Sequence, residues 1–269
     1  MKQKTIIGEH GSVHYWVGGQ GEPCVVFTHG ATMDHGLFEH QIDYFAPNYK
    51  LIVWDVPKHG RSRPYEQFSL KNAADALVGI LDDEKVEKAH LVGQSMGGYI
   101  SQIMARDYPE RVKSLVAVDS SPMQPSYYSA LDKWLLSITS PLLRLYPYNS
   151  LIKAIAKQIA VQASAQKYAL ETLKQLSKTE IADIMGAVYE GVIEFGQEER
   201  LPVPILIIYG EADRTGKVRT YSKQWAEREK RPLQIIPNAA HNANMDNPDA
   251  FNRILEAFLQ QVEQGELLA

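Results

Sequence analysis

Three residues have side chains whose types and order along the chain suit one reaction. Ser95 sits in "AHLVGQSMGGYISQIMARDYP", between an apolar run and an amphipathic run, with Gly93 and Gly97 on either side. Asp213 stands in "GEADRTG" and His241 in "PNAAHNANMDNP". A neutral serine hydroxyl is a weak nucleophile and needs a base within hydrogen-bond reach. Imidazole, with a reference pKa of about 6.5, suits that task near neutral pH. In such a set Ser95 attacks, His241 takes and returns the proton, and Asp213 fixes the histidine tautomer and stabilises the imidazolium. Asp119, at the end of an earlier apolar run, is the rival for the acid's place.

These residues need elements to bring them together. Ala89 to Gly93 read as a short buried strand, while Ile100, Ile103 and Met104 recur at helical spacing, so the chain must turn sharply at Ser95. Glycine at 93 and 97 relieves crowding in such a turn and permits positive φ. The pentapeptide Gly93, Gln94, Ser95, Met96, Gly97 matches the nucleophile elbow G-x-S-x-G. A serine N-cap on an ordinary strand-to-helix turn is the competing reading.

Short β-rich runs alternate with amphipathic stretches along the chain, which predicts a mostly parallel sheet covered on both faces. The strands are expected at Ser12–Val17, Cys24–Thr28, Leu51–Trp54, Ala89–Val92, Ser114–Val118, Ile205–Tyr209 and Leu233–Ile236. Helices are expected near Leu37–Phe45, Ser69–Asp82, Ser95–Asp107 and Pro248–Glu263. Between 121 and 200 only helical periodicity is found. Leu131, Trp134, Leu135, Ile138, Leu142 and Leu145 form one set, and Ile181, Ile184, Met185, Val188, Val192 and Phe195 another. The expected organisation is therefore a core from residues 1–120 and 201–269, with 121–200 inserted as an all-helical lid bounded by "SSP" and "LPVP". Ser95, Asp213 and His241 all follow strands at the carboxyl edge, where open α/β sheets collect ligands.

Composition limits the alternatives. A chain of 269 residues, 45% hydrophobic and 22% charged, is long enough for a large core, and its net charge of −4 argues against nucleic-acid binding. Cys24, the one cysteine, lies in the apolar run "CVVFT" and reads as a core residue. The start "MKQKTIIGEHGSVHYW" has no continuous apolar run, and no stretch approaches the roughly 20 apolar residues that span a bilayer. A cytoplasmic protein without membrane insertion is the expectation. Neither a metal nor a nucleotide cofactor is expected, because no H-E-x-x-H, C-x-x-C or P-loop pattern is present.

Five signals in order, "HG" after Thr28, "WDVPKHGRS", "GQSMGG", "YGEADR" and "PNAAH", resemble the α/β-hydrolase family with a helical cap, over nearly the whole chain. The resemblance implies an α/β-hydrolase fold and a catalytic set of Ser95, Asp213 and His241. It also implies an oxyanion hole from the backbone amides of Ala31 and Met96. His29 then reads as a brace for the loop carrying Ala31, and Asp55, Gly60 and Ser62 as residues that knit the neighbouring loop. Asp34 either caps the next helix or faces the pocket. Serine at the elbow disfavours the dehalogenase and epoxide hydrolase branches, which resemble one another in using aspartate there.

Hydrolysis of a small to medium, largely apolar carboxylic ester, thioester or lactone is the leading expectation, with that ester and water as reactants. A carbon–carbon bond hydrolase or a cofactor-free perhydrolase would use the same residues. A small-molecule receptor that keeps the set is the reading from another class. Tyr127, Tyr128, Trp134, Tyr146 and Tyr148 could line a pocket or pack the lid, and the oligomeric state is not legible.

Overall fold

The computed structural model describes residues 1–196 and 198–267. Its strands are β1 (Lys2–Gly8), β2 (Gly11–Gly18), β3 (Cys24–Thr28), β4 (Lys50–Trp54), β5 (Ala89–Gln94), β6 (Val112–Val118), β7 (Ile205–Gly210) and β8 (Leu233–Ile236). The helices are α1 (Glu39–Phe45), α2 (Leu70–Asp83), α3 (Met96–Asp107), α4 (Ala130–Leu143), α5 (Tyr148–Ile159), α6 (Ala163–Lys174), α7 (Lys178–Ile193), α8 (Val218–Glu229), α9 (Ala243–Asp246) and α10 (Pro248–Glu263). The strands form one sheet in the order β1-β2-β4-β3-β5-β6-β7-β8. β2 pairs antiparallel with β1 and β4, and every pair from β4 to β8 is parallel.

The strand sequences explain the layering. β5 and β7 are buried at every position, as strands covered on both faces must be. Alternate side chains feed two cores. Val26, Leu91, Ala117 and Ile207 join Leu77, Ile100 and Trp225 of α2, α3 and α8 on one face. Val25, Phe27, Val92, Val116 and Ile208 join Phe45, Phe251 and Leu255 of α1 and α10 on the other. Cys24 is buried in the first of these cores, as its apolar neighbours imply.

β1, α8 and the single-turn α9 lie outside the expected set, as do α5 and α6 individually within the segment expected to be all-helical. β1 has no buried residue to advertise it, and forms because its backbone pairs in full with β2, from Lys2 opposite Val17 to Gly8 opposite Gly11. α8 is rich in polar residues, and only Val218, Tyr221, Ser222, Trp225 and Ala226 are buried. Its apolar stripe is too thin to stand out as periodicity.

Between β6 and β7 the chain forms α4 to α7, and no strand occurs there among the described residues. In α7, Ile181, Ile184, Val188 and Val192 are buried, as their spacing predicts. α4 is a helix as expected, but its stripe of Leu131, Trp134, Leu135 and Leu142 is exposed. The inward face is Leu136, Thr139, Ser140 and Leu143, also at i, i+3, i+4 and i+7 spacing. Leu136, Thr139 and Leu143 line an internal cavity, and Ser140 Oγ donates to Ala182 O of α7 at 2.8 Å.

Candidate active site

At the end of β5 the chain reverses direction within a few residues. Gly93 and Gly97 provide room: a Cβ on Gly93 would lie 2.2 Å from Gly97 O, and one on Gly97 would lie 2.1 Å from Thr28 O. The positive φ that these glycines would permit falls instead on Ser95 itself, at φ 50° and ψ −113°. A non-glycine residue held there is strained, a feature that clusters at functional sites. Bonds to its backbone hold it: Ser95 N–H donates to Val118 O at 2.8 Å, and Ser95 O accepts Gly98 N–H and Ser120 Oγ, each at 2.9 Å, and Tyr99 N–H at 3.3 Å. The side chain makes no cap bond to α3, which counts against the N-cap reading.

Asp213 and His241 come from the loops after β7 and β8. His241 Nδ1 lies 2.9 Å from Asp213 Oδ2, and the other carboxylate oxygen accepts Thr215 N–H at 2.8 Å. Both residues are buried. Burial alone would raise the Asp213 carboxyl. The charge and hydrogen bond of His241, with the bonds from Thr215, outweigh it and hold the group below its ordinary value. Ser95 and His241 line the same cavity. Among the described residues no side-chain hydrogen bond joins them, and in ligand-free enzymes such a contact is often long and tightens when substrate binds.

Asp119 also reaches this point, with a carboxylate oxygen within 4.8 Å of a carboxylate oxygen of Asp213 and of a ring nitrogen of His241. Its two oxygens are occupied by backbone: Gly210 N–H donates to Oδ1 at 2.7 Å and Ala243 N–H to Oδ2 at 3.2 Å. Complete burial, and then the charge of Asp213, push its carboxyl well above the ordinary range. The geometry therefore couples His241 to Asp213 and gives Asp119 a bracing place between β7 and the His241 loop.

The loop after β3 is set by His29. Val56 N–H donates to His29 Nε2 at 3.0 Å, so the ring proton is on Nδ1 and is donated to Gly30 O at 2.8 Å. Gly30 C=O and Ala31 N–H belong to one planar trans peptide, so fixing the carbonyl aims the Ala31 amide the opposite way. Among the described residues that amide donates to no protein acceptor. Met96 N–H heads α3, where the first amides have no partner within the helix.

Asp55, Gly60 and Ser62 knit the adjacent loop. Asp55 accepts His35 N–H at 2.8 Å and Arg61 N–H at 2.7 Å, Ser62 Oγ donates to Asp55 O at 2.7 Å, and Gly60 has φ 46°. Asp34 caps the short turn after it by accepting Gly36 N–H at 3.0 Å, and also receives the Tyr168 hydroxyl of α6 at 2.8 Å.

The cavity holding Ser95 and His241 has a volume of about 390 Å³. Helices α4, α5 and α7 line it mainly with apolar residues, Leu136, Leu143, Ile155, Met185, Val188 and Val192, beside Thr139, Gln158 and Tyr189. Tyr99, Ser121, Tyr128, Thr215 and Tyr221 also line it. Of the five aromatic residues expected near a pocket, Tyr128 alone lines it. Trp134 and Tyr146 are exposed, Tyr127 packs beneath Arg228, and the Tyr148 hydroxyl donates to Leu176 O.

Several site residues were not foreseen. Gln94 Nε2 donates to His241 O at 2.6 Å, tying the elbow to the histidine loop. Its place inside the elbow pentapeptide was the available signal. Tyr168 and Asp246 join the helical insertion to the two site loops, and nothing in their local sequence marks them.

A family model described as the alpha/beta hydrolase fold matches residues 23–138. The pimeloyl-[acyl-carrier protein] methyl ester esterase of Yersinia enterocolitica is 26% identical over 92% of this chain and 97% of that protein. The 3-oxoadipate enol-lactonase 1 of Acinetobacter baylyi is 24% identical over 91% of this chain and 92% of that protein. Among solved structures, a hydrolase from Pseudomonas aeruginosa superposes with a TM-score of 0.82 at 18% identity, covering 96% of this chain and 98% of that one. The matched family model, the near full-length relatives and the superposing structure agree on the architecture: the chain has the α/β-hydrolase fold.

Proposed function

We propose that this protein is a serine hydrolase that cleaves a small to medium, largely apolar carboxylic ester, thioester or lactone. The observation that carries the reading is the 2.9 Å contact between His241 and Asp213 at the wall of an apolar cavity that also exposes Ser95. Asp213 holds the Nδ1 proton of His241, leaving Nε2 free to accept the proton of Ser95. Ser95 Oγ attacks the acyl carbon, and the developing oxyanion is met by the Ala31 and Met96 amides, placed by the His29 brace and the head of α3. His241 then gives its proton to the leaving group, and water repeats the sequence on the acyl-enzyme. Residues 121–200 act as the cap: α4, α5 and α7 supply the apolar wall that receives the acyl or ring portion.

The named relatives support ester chemistry, one acting on a methyl ester and one on an enol-lactone. Among the described residues no helix is long and apolar enough to cross a membrane. A p-nitrophenyl ester series from acetate to dodecanoate, run with wild type and Ser95→Ala, tests the reading. Serine-dependent turnover with an optimum chain length is expected. Equal rates for the two proteins, or no turnover on any ester of the series, would overturn it. In the second case the carbon–carbon hydrolase and receptor readings would come forward.

A further inference from the structure

We infer that Asp246 is a positioning residue, through which the helical insertion sets the place of His241. The inference rests on the base role proposed for His241. Asp246 is buried in α9, and its carboxylate accepts three backbone amides. Ala240 N–H, immediately before the histidine, donates to Oδ2 at 2.9 Å. Val161 N–H donates at 2.9 Å to Oδ2 and Gln162 N–H at 2.8 Å to Oδ1, both from the turn between α5 and α6. Beyond the histidine, Asn242 N–H donates to Ile159 O of α5 at 2.7 Å.

The backbone of residues 240–242 is thus held at three consecutive positions. His241 O is tied to the core through Gln94, and its two neighbours are tied to the insertion. A carboxylate that satisfies several backbone amides forms charge-assisted bonds of the stronger kind, and such an anchor leaves little freedom to the segment it holds. Ile155, Gln158 and Ile159 of α5 also line the cavity, so the element that contacts the bound acyl group is the one that anchors the histidine loop. A shift of the α5–α6 turn therefore moves the base relative to Ser95.

The acids beside His241 are Asp213 after β7 and Asp119 after β6; Asp246 accepts the adjacent Ala240 amide, and Lys217 lies on the cavity wall. Gln162→Pro gives a test that alters none of these charges. It deletes one amide donor at a residue whose φ of −75° suits proline. Asp246→Ala deletes the whole clamp, and Asp246→Asn keeps a single acceptor oxygen. All three are assayed with Ser95→Ala on p-nitrophenyl acetate, a substrate too short to need the apolar wall.

Asp246→Ala is expected to lower kcat by about 10²-fold with KM nearly unchanged, as a base misplaced by about 1 Å would. Gln162→Pro and Asp246→Asn should fall between it and wild type. Turnover is expressed per folded molecule, with the folded fraction of each variant fixed by urea titration, so loss of folded protein alone leaves kcat unchanged. Recovery of kcat in Asp246→Asn over Asp246→Ala, and its fall in Gln162→Pro, are the readouts of positioning. Wild-type kcat per folded molecule in all three variants, with Ser95→Ala inactive, would overturn the clamp alone. An active Ser95→Ala would instead remove the proposed function, and the clamp with it.

Discussion

Asp119 and Asp213 present carboxylates to the same histidine from adjacent strand ends, yet only Asp213 bonds its Nδ1. The two acids are separated by what occupies them. Asp213 keeps one oxygen for His241, whereas Asp119 spends both on the Gly210 and Ala243 amides. Asp213→Asn should therefore lower kcat by several powers of ten with little change in KM, because the histidine loses the partner that fixes its tautomer. Asp119→Asn should act on stability instead, since an amide NH₂ would be turned toward one of the two backbone donors. Steady-state kinetics and urea titration of the two variants check this. A collapse of kcat in folded Asp119→Asn, with Asp213→Asn active, would transfer the acid's role.

The strain at Ser95 gives a prediction in which activity and stability part. Ser95→Ala and Ser95→Gly both remove the hydroxyl proposed as the nucleophile, but only glycine adopts φ 50° and ψ −113° without a Cβ penalty. Ser95→Gly should be more stable than Ser95→Ala by about 1 kcal/mol. Gly93→Ala should behave in the opposite way and unfold the elbow, because its methyl would meet Gly97 O at 2.2 Å. Thermal melts of the three variants measure the effect. Equal stability of the two Ser95 variants would mean that the turn stores no strain at that residue.

The apolar wall makes chain length readable. Each methylene buried contributes about 0.8 kcal/mol, roughly fourfold in kcat/KM, until the cavity is full. Met185→Trp, placed on that wall, should cut kcat/KM for dodecanoate esters by about tenfold or more and leave acetate within about twofold. If long and short esters lost rate equally, the acyl group would not lie along α7.

How much of this could be read from the residues follows from where the information sits. The elbow, the parallel strands and the order of Ser95, Asp213 and His241 are local patterns, and each is in place in the structure at a strand's carboxyl end. β1 escaped because its pairing is a backbone property shared with β2, and α8 because it buries so few apolar residues. α4 carries apolar residues on two stripes. Periodicity detects both but cannot tell which one faces the cavity, and the choice is made by the packing against α7. The links made by Gln94, Tyr168 and Asp246 join segments far apart in the chain through backbone atoms, so no residue pattern announces them.

A last prediction concerns acid stability, set by a histidine remote from the site. His90 in β5 is buried, with Nδ1 2.7 Å from Ser114 Oγ and Nε2 2.9 Å from Glu263 Oε1. Burial lowers its pKa to about 4, against the opposing pull of Glu263. Between about pH 4 and the unfolded value near 6.5, the unfolded chain binds the extra proton and the folded protein does not. Stability therefore rises with pH across that window, and it is lost as pH falls through it. The contribution is on the order of 3 kcal/mol. His59, also buried and pushed down to about 3, acts in the same direction. Urea titrations at pH 4, 5, 6 and 7 should show the wild-type free energy climbing. His90→Gln, which cannot titrate, should show a shallower climb over the same range. Parallel curves for the two proteins would mean that His90 takes up its proton in the folded state as readily as in the unfolded chain.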